Sequence, residues 1–417
     1  MPLKWLYLDL NSYFASVEQQ LQPNLRHKPI AIVPSLTDSS SAIAASYEAK
    51  AYGVKTGMKI YEAKIKCPDL ICVLGQHENY VRYHHLILAE INKYIPIEKA
   101  YSIDEVACKL MGKETNETNA LALAKKIKLG LAQNIGEYLR CSIGLAENIF
   151  LAKTASNLEK PNGLQIIYAQ DLPKRIMHFK LSDLTGIGKA LEARLNKAGI
   201  FTIAQLFTIE AKHLRKIWGS VLGERFWYLL RGYDLPDLVT QCSSVGHSHV
   251  LAPEWRPIYK ARYVMRRLLL KAATRLREKK FYTKHLILSV RINGGQKVKL
   301  EISFYRSCDN IILSRAAAKL WAKLIKLYQP LSIKKIAVTL DHLVAADTLQ
   351  KNFFELGDDL LSKQQQNFEN LSMAMDVIND KFGKDAILMG GLPKQVQSFS
   401  GTKIAFTRIP QLEEFNY

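Results

Sequence analysis

Three carboxylates carry the first chemical signal in this chain: Asp9, at the end of an opening apolar run, and the adjacent pair Asp104-Glu105 far along the sequence. Hard dications prefer carboxylate oxygens. Two such ions about 4 Å apart stabilise both the attacking and the leaving oxygen of a phosphoryl transfer. An Asp-Glu pair in a surface turn is a common feature without chemistry, so these residues count only if the fold brings them together.

Hydrophobic periodicity says that it does. Leu6, Leu8 and Leu10 alternate as in a strand, which runs into the polar, helix-prone stretch Asn11 to Gln20. Ile97 to Leu110 reads as two short strands meeting at Ser102-Ile103-Asp104-Glu105, followed by a helix near Asn119 to Gly136 and a strand over Leu139 to Leu145. This β-α-β-β-α-β order predicts an α+β fold whose first sheet is ferredoxin-like, with helices on one face. First and third strands are neighbours in such a sheet, so Asp9 would stand beside Asp104 and Glu105. Residues of roughly 20 to 76 interrupt the motif as an insertion.

From Ile176 to Tyr233 the pattern changes to short helices punctuated by glycine. Gly186-Ile187-Gly188 lies between two helical patterns, Ile176 to Leu184 and Lys189 to Ala198. Glycines there let backbone N–H groups face a phosphate, the arrangement of a helix-hairpin-helix DNA clamp, although a tight turn has the same composition. After Ser243-Ser244 the β-α-β-β-α-β order returns. It comprises strand Val245 to Leu251, helix Ile258 to Phe281, strands Leu286 to Ile292 and Val298 to Phe304, helix Leu313 to Tyr328 and strand Ile333 to Leu340. From Val344 onward no strong period is found until Leu371 to Phe382, which reads as helical, and no compact fold is predicted for this tail.

Charge identifies the kind of partner. The 417 residues carry a formal net charge of +20 with a pI near 9.5, a surplus that favours a polyanion. No run of about 20 apolar residues suggests a membrane span, and the N-terminus lacks a signal-peptide pattern, so a cytoplasmic, nucleoid-associated protein is expected. Between Arg256 and Lys299 the basic residues include Lys260, Arg262, Arg266, Arg267, Lys271, Arg275, Arg277, Lys297 and Lys299, with Glu278 the only acid. Ala261, Val264, Leu268 and Ala272 form the apolar stripe of that helix, which turns the basic residues outward and favours phosphate contact. Six scattered cysteines without a CxxC pair read as reduced thiols.

The order of these pieces resembles the Y-family translesion DNA polymerases, of the bacterial polymerase IV and polymerase V catalytic-chain type. The resemblance runs in register over about residues 5 to 343. It rests on Asp9-Leu-Asn-Ser-Tyr-Phe14-Ala-Ser-Val-Glu18, Tyr47-Glu-Ala-Lys50-Ala-Tyr-Gly53-Val-Lys-Thr-Gly57-Met58, Tyr101-Ser-Ile-Asp104-Glu105, Ser142-Ile-Gly144-Leu-Ala-Glu-Asn148 and Lys160-Pro161-Asn162-Gly163.

The resemblance implies a DNA-directed DNA polymerase of low fidelity, with a right-hand architecture. Palm would be residues 1–19 and 77–172, fingers 20–76, a helix-hairpin-helix thumb 173–240, a βαββαβ little finger 243–343 and a tail 344–417. Asp9, Asp104, Glu105 and the Leu10 carbonyl would hold two Mg²⁺ ions, with Mn²⁺ able to substitute. Tyr13, Phe14, Tyr47, Lys50 and Lys160 would meet the incoming deoxynucleotide, with Phe14 as the steric gate against a ribose 2′-hydroxyl. Primer-template DNA would lie against Gly186, Gly188, Lys189, Arg262, Arg266, Lys297 and Lys299. Gln350, Phe353 and Phe354 resemble a sliding-clamp peptide, and accessory repair subunits are further partners that the family implies.

Four positions depart from the commoner pattern. Asn11 stands where polymerase IV types have a second Asp, Lys50 replaces an Arg, and Ala44 and Ile149 replace polar and basic residues. Lys in place of Arg keeps charge but loses the bidentate fork. Two rival functions share parts of the pattern: a catalytically dead DNA-binding scaffold, which loss of a carboxylate would mark, and a cyclase of the diguanylate type, which would leave the thumb and the basic last sheet unused.

Overall fold

Apolar residues of both parities make β1 (Trp5–Leu10) a strand that is buried on two sides. The computed structural model describes residues 2–238, 241–292, 294–348, 359–383, 386–389 and 409. Leu6, Leu8 and Leu10 point into one core, Trp5 and Tyr7 into another. Then come α1 (Tyr13–Leu21) and the insertion: β2 (Ile30–Val33), β3 (Ala44–Ala45), α2 (Tyr47–Ala51), α3 (Ile60–Lys66) and β4 (Ile71–Leu74). The insertion forms a sheet of order β3-β2-β4 over a small core that includes Val33, Val54 and Ile60.

The first sheet is completed by α4 (His77–Asn92), β5 (Ile97–Ala100), β6 (Glu105–Lys109), α5 (Glu117–Gly130), β7 (Cys141–Ala146), α6 (Ile149–Leu158) and β8 (Leu164–Ile167). Its order is β5-β6-β1-β7-β8, and within it the four strands of the motif have the ferredoxin arrangement. Helices were expected on one face only. They cover both, because α6 packs on the Trp5–Tyr7 side. Gly144 makes this possible: a Cβ there would lie 1.9 Å from the Ala152 carbonyl oxygen, so only glycine lets α6 approach so closely.

Four helices follow, α7 (Lys189–Lys197), α8 (Ile203–Thr208), α9 (Ala211–Trp218) and α10 (Val221–Leu230). The helix expected over Ile176 to Leu184 is instead two single 3₁₀ turns, Lys174–Ile176 and Leu181–Asp183. The Asp183 carboxylate accepts the Lys180 N–H at 2.8 Å, a local bond that competes with helix propagation. Ile176, Leu181, Leu184, Leu195, Leu214 and Phe226 join Trp5, Tyr7 and Leu151 in one hydrophobic cluster, so this segment shares its core with the first sheet.

Leu238–Gly401 form a second compact unit. It contains β9 (Ser244–Val250), α11 (Ile258–Glu278), β10 (Phe281–Ile292), β11 (Lys297–Ser307), α12 (Asn310–Tyr328), β12 (Ile333–Ala345) and α13 (Asp359–Phe382). The element order repeats that of the first sheet but the pairing does not. The order β11-β10-β12-β9 places the motif's second and fourth strands in the centre, where the first sheet has its first and third. Phe281 begins β10 rather than ending α11, since Lys280 takes a left-handed φ of 55° and breaks the helix.

The tail, for which the sequence predicted no compact fold, is docked on this unit through α13. Arg277 forms a bidentate pair with Asp376 (2.6 and 2.8 Å), Tyr282 donates to Glu369 and the Asn310 N–H to Ser372 Oγ, both at 3.0 Å. The sequence reads the second half of this helix, Leu371 to Phe382, as helical, and α13 extends it back to Asp359; the side chains that anchor it are largely polar, so its docking was not legible. Asp376→Ala strips the Arg277 side chain, only 5% exposed, of its carboxylate. It should destabilise the second unit by about 3 kcal/mol, read from chemical denaturation of the full chain; a change under about 0.5 kcal/mol would mean that the docked helix adds nothing.

Candidate active site

The antiparallel register of β1 and β6 sets Asp9 directly opposite Glu105. By alternation both side chains leave the sheet on the side of Tyr7 and Ala107, towards α6. Asp104 sits at the preceding turn, where the Leu10 N–H donates to the Asp104 carbonyl at 2.9 Å and the Ser102 hydroxyl donates to its carboxylate. His84, buried on α4, braces the same turn through Nδ1 and the Ile103 carbonyl at 2.8 Å. Burial pushes its imidazole pKa down to about 4, so the ring is neutral at physiological pH and Nδ1 is the donor.

Two lysines face the carboxylates. Lys160 reaches Asp9 at 2.6 Å and Lys153 reaches Glu105 at 2.7 Å. Desolvation raises the pKa of Asp9, and the Lys160 charge only partly opposes it. Asp104 is also raised, by burial first, and by the neighbouring carboxylates against the Ser102 hydrogen bond. Lys153 was not among the residues singled out from the sequence. Its signal was a lone cation in the otherwise apolar run Ile149-Phe150-Leu151-Ala152.

Asn11 explains its own departure from an Asp. Its side chain is 2% exposed, its amide donates to Ser142 Oγ at 3.1 Å, and its oxygen accepts the Asn162 N–H at 2.7 Å. Asn11 thereby ties the end of β1 to the loop that carries Lys160. Ile149 packs against the cluster behind the sheet, a use that its common basic counterpart would not serve. Ala44 lies in β3, half-buried against the first core.

The insertion brings Tyr47 and Lys50, on α2, to the same edge. Lys50 donates to Ser12 Oγ at 2.7 Å and lies 4.4 Å from the centre of the Tyr47 ring. Burial, then the Asp9 charge, pushes the Tyr47 phenol up to about 12, which keeps it a proton donor. Phe14 is half-buried and stacked on Tyr80 at 4.3 Å, and the Tyr80 hydroxyl is held by Glu18 at 2.8 Å. Tyr13 differs from expectation: its ring is 3% exposed and its hydroxyl is bound to the Tyr80 carbonyl at 2.6 Å, so its side chain is structural.

Among the nucleic-acid candidates, Gly186 has a φ of +94° and Gly188 caps α7. Both are exposed, with Lys189, around the buried Ile187. Lys297 and Lys299 stand on the face of the second sheet that α11 and α12 leave open. Arg291 is paired with both Lys297 and Lys335 there, making a basic strip. Arg262 and Arg266 are not part of it. They lie on α11, on the helix-covered side, and Arg266 donates to the Met389 carbonyl at 2.9 Å. Arg277, too, is consumed inside the unit. Gln350, Phe353 and Phe354 lie outside the described residues. Among the described residues, no helix is long and apolar enough to cross a membrane.

The fold and site together define a right-hand nucleotidyl-transfer architecture, and comparison with known proteins agrees. A model of the impB/mucB/samB family matches residues 8–157, the C-terminal domain of that family matches 243–353, and a DNA polymerase-iota thumb domain matches 182–234. DNA polymerase IV of Moorella thermoacetica is 33% identical over 278 residues, spanning 65% of this chain and 69% of that one. DNA polymerase IV 1 of Bacillus subtilis is 27% identical over 400 residues, 94% of each chain. Among solved structures, a Y-family DNA polymerase chimera of Dbh and Dpo4 has a TM-score of 0.65 at 24% identity, covering 82% of this chain and 99% of that one. The chain belongs to the Y-family DNA polymerases, the impB/mucB/samB family.

Asp104 also links the site to stability. A carboxylate whose pKa is raised on folding favours the folded state below its ordinary value of 3.8, and that contribution is lost as pH rises through the raised value. In metal-free buffer Asp104→Asn should therefore melt above the parent at neutral pH. The advantage should shrink as pH falls towards 4, and a pH-independent difference would refute the burial effect.

Proposed function

We propose that the chain adds deoxynucleotides to a primer 3′-hydroxyl on a DNA template and tolerates damaged templates at low fidelity. The observation that carries this reading is the register that opposes Asp9 and Glu105 beside the anchored Asp104 turn. The donor set suits hard dications, since it is all oxygen and Lys153 and Lys160 are paired with Glu105 and Asp9. Asp9, Asp104, Glu105 and the Leu10 carbonyl would hold two Mg²⁺ ions, and Mn²⁺ can replace them. When bound, they offset charge on the attacking and leaving oxygens.

The protein's own groups do the rest. Lys160, Lys50 and the protonated Tyr47 hold the triphosphate, with Lys160 placed by the Asn11-anchored loop. The Phe14 ring lies beside the sugar and excludes a 2′-hydroxyl. Gly186 and Gly188 with Lys189 in the first unit, and Lys297 and Lys299 on the open sheet of the second, each contact primer-template DNA. Palm (1–19 and 77–172), fingers (20–76), thumb (173–240) and little finger (243–343) follow the segments with these roles. The insertion has a small core, which suits short fingers and an open site able to accept an altered base. A sliding clamp docking at Gln350, Phe353 and Phe354, accessory repair subunits, and work at the nucleoid in the cytoplasm complete the proposal.

Primer extension on intact and lesion-bearing templates with Mg²⁺ tests it. Asp104→Ala should abolish nucleotide addition yet leave duplex binding nearly intact, and extension within about tenfold of the parent would sink the metal assignment. Phe14→Ala should raise ribonucleotide over deoxynucleotide kcat/KM by about two to three orders of magnitude. An unchanged ratio with a lowered Tm would make Phe14 a packing residue. Duplex affinity should also fall steeply with salt as lysine and arginine contacts release counterions, and a flat plot of log K against log salt would count against the basic strip.

A further inference from the structure

The second unit contains a separate group of ligating side chains. His285 on β10 and Asp341 on β12 are direct cross-strand partners, and they project from the open face of the sheet, the side of Lys297 and Lys299. Strand alternation would send the next residue, His342, through to the opposite side. It does not go there. His342 adopts a left-handed φ of 49°, unusual for a residue with a Cβ, and the strand pairing skips it. Its ring returns to within 4.9 Å of the His285 ring, centre to centre.

His285 Nδ1 lies 2.6 Å from Asp341 Oδ1, and His342 Nδ1 lies 3.9 Å from the same oxygen. One ligand atom from each of the three residues falls within 4.8 Å of the others. Metal–nitrogen and metal–oxygen bonds of about 2.0–2.2 Å put neighbouring ligand atoms about 3–4 Å apart, so a small opening of the His285–Asp341 hydrogen bond admits an ion. The side chains are graded from 11% exposed at His285, through 26% at Asp341, to 69% at His342, which leaves a solvent side for water ligands. Glu301, on β11 of the same face, is held below the usual carboxylate range by its bond to Lys299.

We propose that His285, Asp341 and His342 form a site for one borderline transition-metal dication of the Zn²⁺, Co²⁺ or Ni²⁺ class. Two imidazoles and one carboxylate disfavour Mg²⁺, which takes oxygen ligands, and suit this class. The ion would take both imidazoles as neutral ligands and Asp341 as a carboxylate, so any proton on a coordinating atom leaves to solvent on binding. The ion ties the two central strands of the sheet together and adds positive charge to its open face.

The test uses the full chain, stripped of metal and titrated with Co²⁺ in millimolar Mg²⁺, without DNA or nucleotide. The parent should take up one equivalent of Co²⁺ with visible ligand-field absorption, and Zn²⁺ should displace it and raise the Tm. His342→Ala, a change at an exposed side chain, should lose that equivalent and the Zn²⁺-dependent rise in Tm. Asp341→Asn should weaken uptake at least tenfold. A Co²⁺ spectrum unchanged in His342→Ala would place the ion elsewhere and overturn the proposal. So would the absence of uptake by the parent, which would leave His285 and Asp341 as a cross-strand hydrogen bond. Failure of the polymerase reading would not alter either result.

Discussion

The pairing of β1 with β6 fixes the site. A slip of one residue would move Asp9 to the face of Leu6, Leu8 and Leu10, inside the core, and separate it from Glu105. Because those leucines cannot be exposed without large cost, the hydrophobic pattern of one face enforces the position of a charge on the other. The same burial makes Asp9 expensive to ionise, and Lys160 on the loop after α6 partly offsets that expense. Core and site are thus two faces of one strand.

What the sequence made legible is what periodicity and motif order encode. Alternation marked β1, and the element order identified a ferredoxin sheet, which was enough to bring three distant carboxylates together. Contacts made by single polar atoms were not legible. Nothing in the composition distinguishes the Arg277 that grips Asp376 from an arginine facing solvent, and the same is true of Arg266. The buried Tyr13 and the half-exposed Phe14 are neighbouring aromatics with opposite fates, decided by a tertiary partner, Tyr80.

The two sheets show the limit of reading topology from element order. Both follow β-α-β-β-α-β, yet different strands occupy their centres. Order fixes which crossovers exist. Which strand then inserts between which pair depends on side-chain packing under α11 and α12 in one case and under α4 and α5 in the other. Among the described residues, one face of the second sheet carries no helix, and that face carries its basic strip.

The four-helix segment after β8 has no core of its own. Its leucines share one cluster with Trp5, Tyr7 and α6, while Asn148 donates to the Leu229 and Tyr233 carbonyls and the Trp5 indole donates to Asp234. A segment built this way cannot be treated as an exchangeable module. Grafting it from a relative would transplant half of an interior and leave the other half, including the helix that presents Lys153 to Glu105, facing a surface it was not shaped for. Lineages that diverge in this segment must therefore change the back of the first sheet in concert, and recombination breakpoints between β8 and α7 would be selected against even where both parents are active.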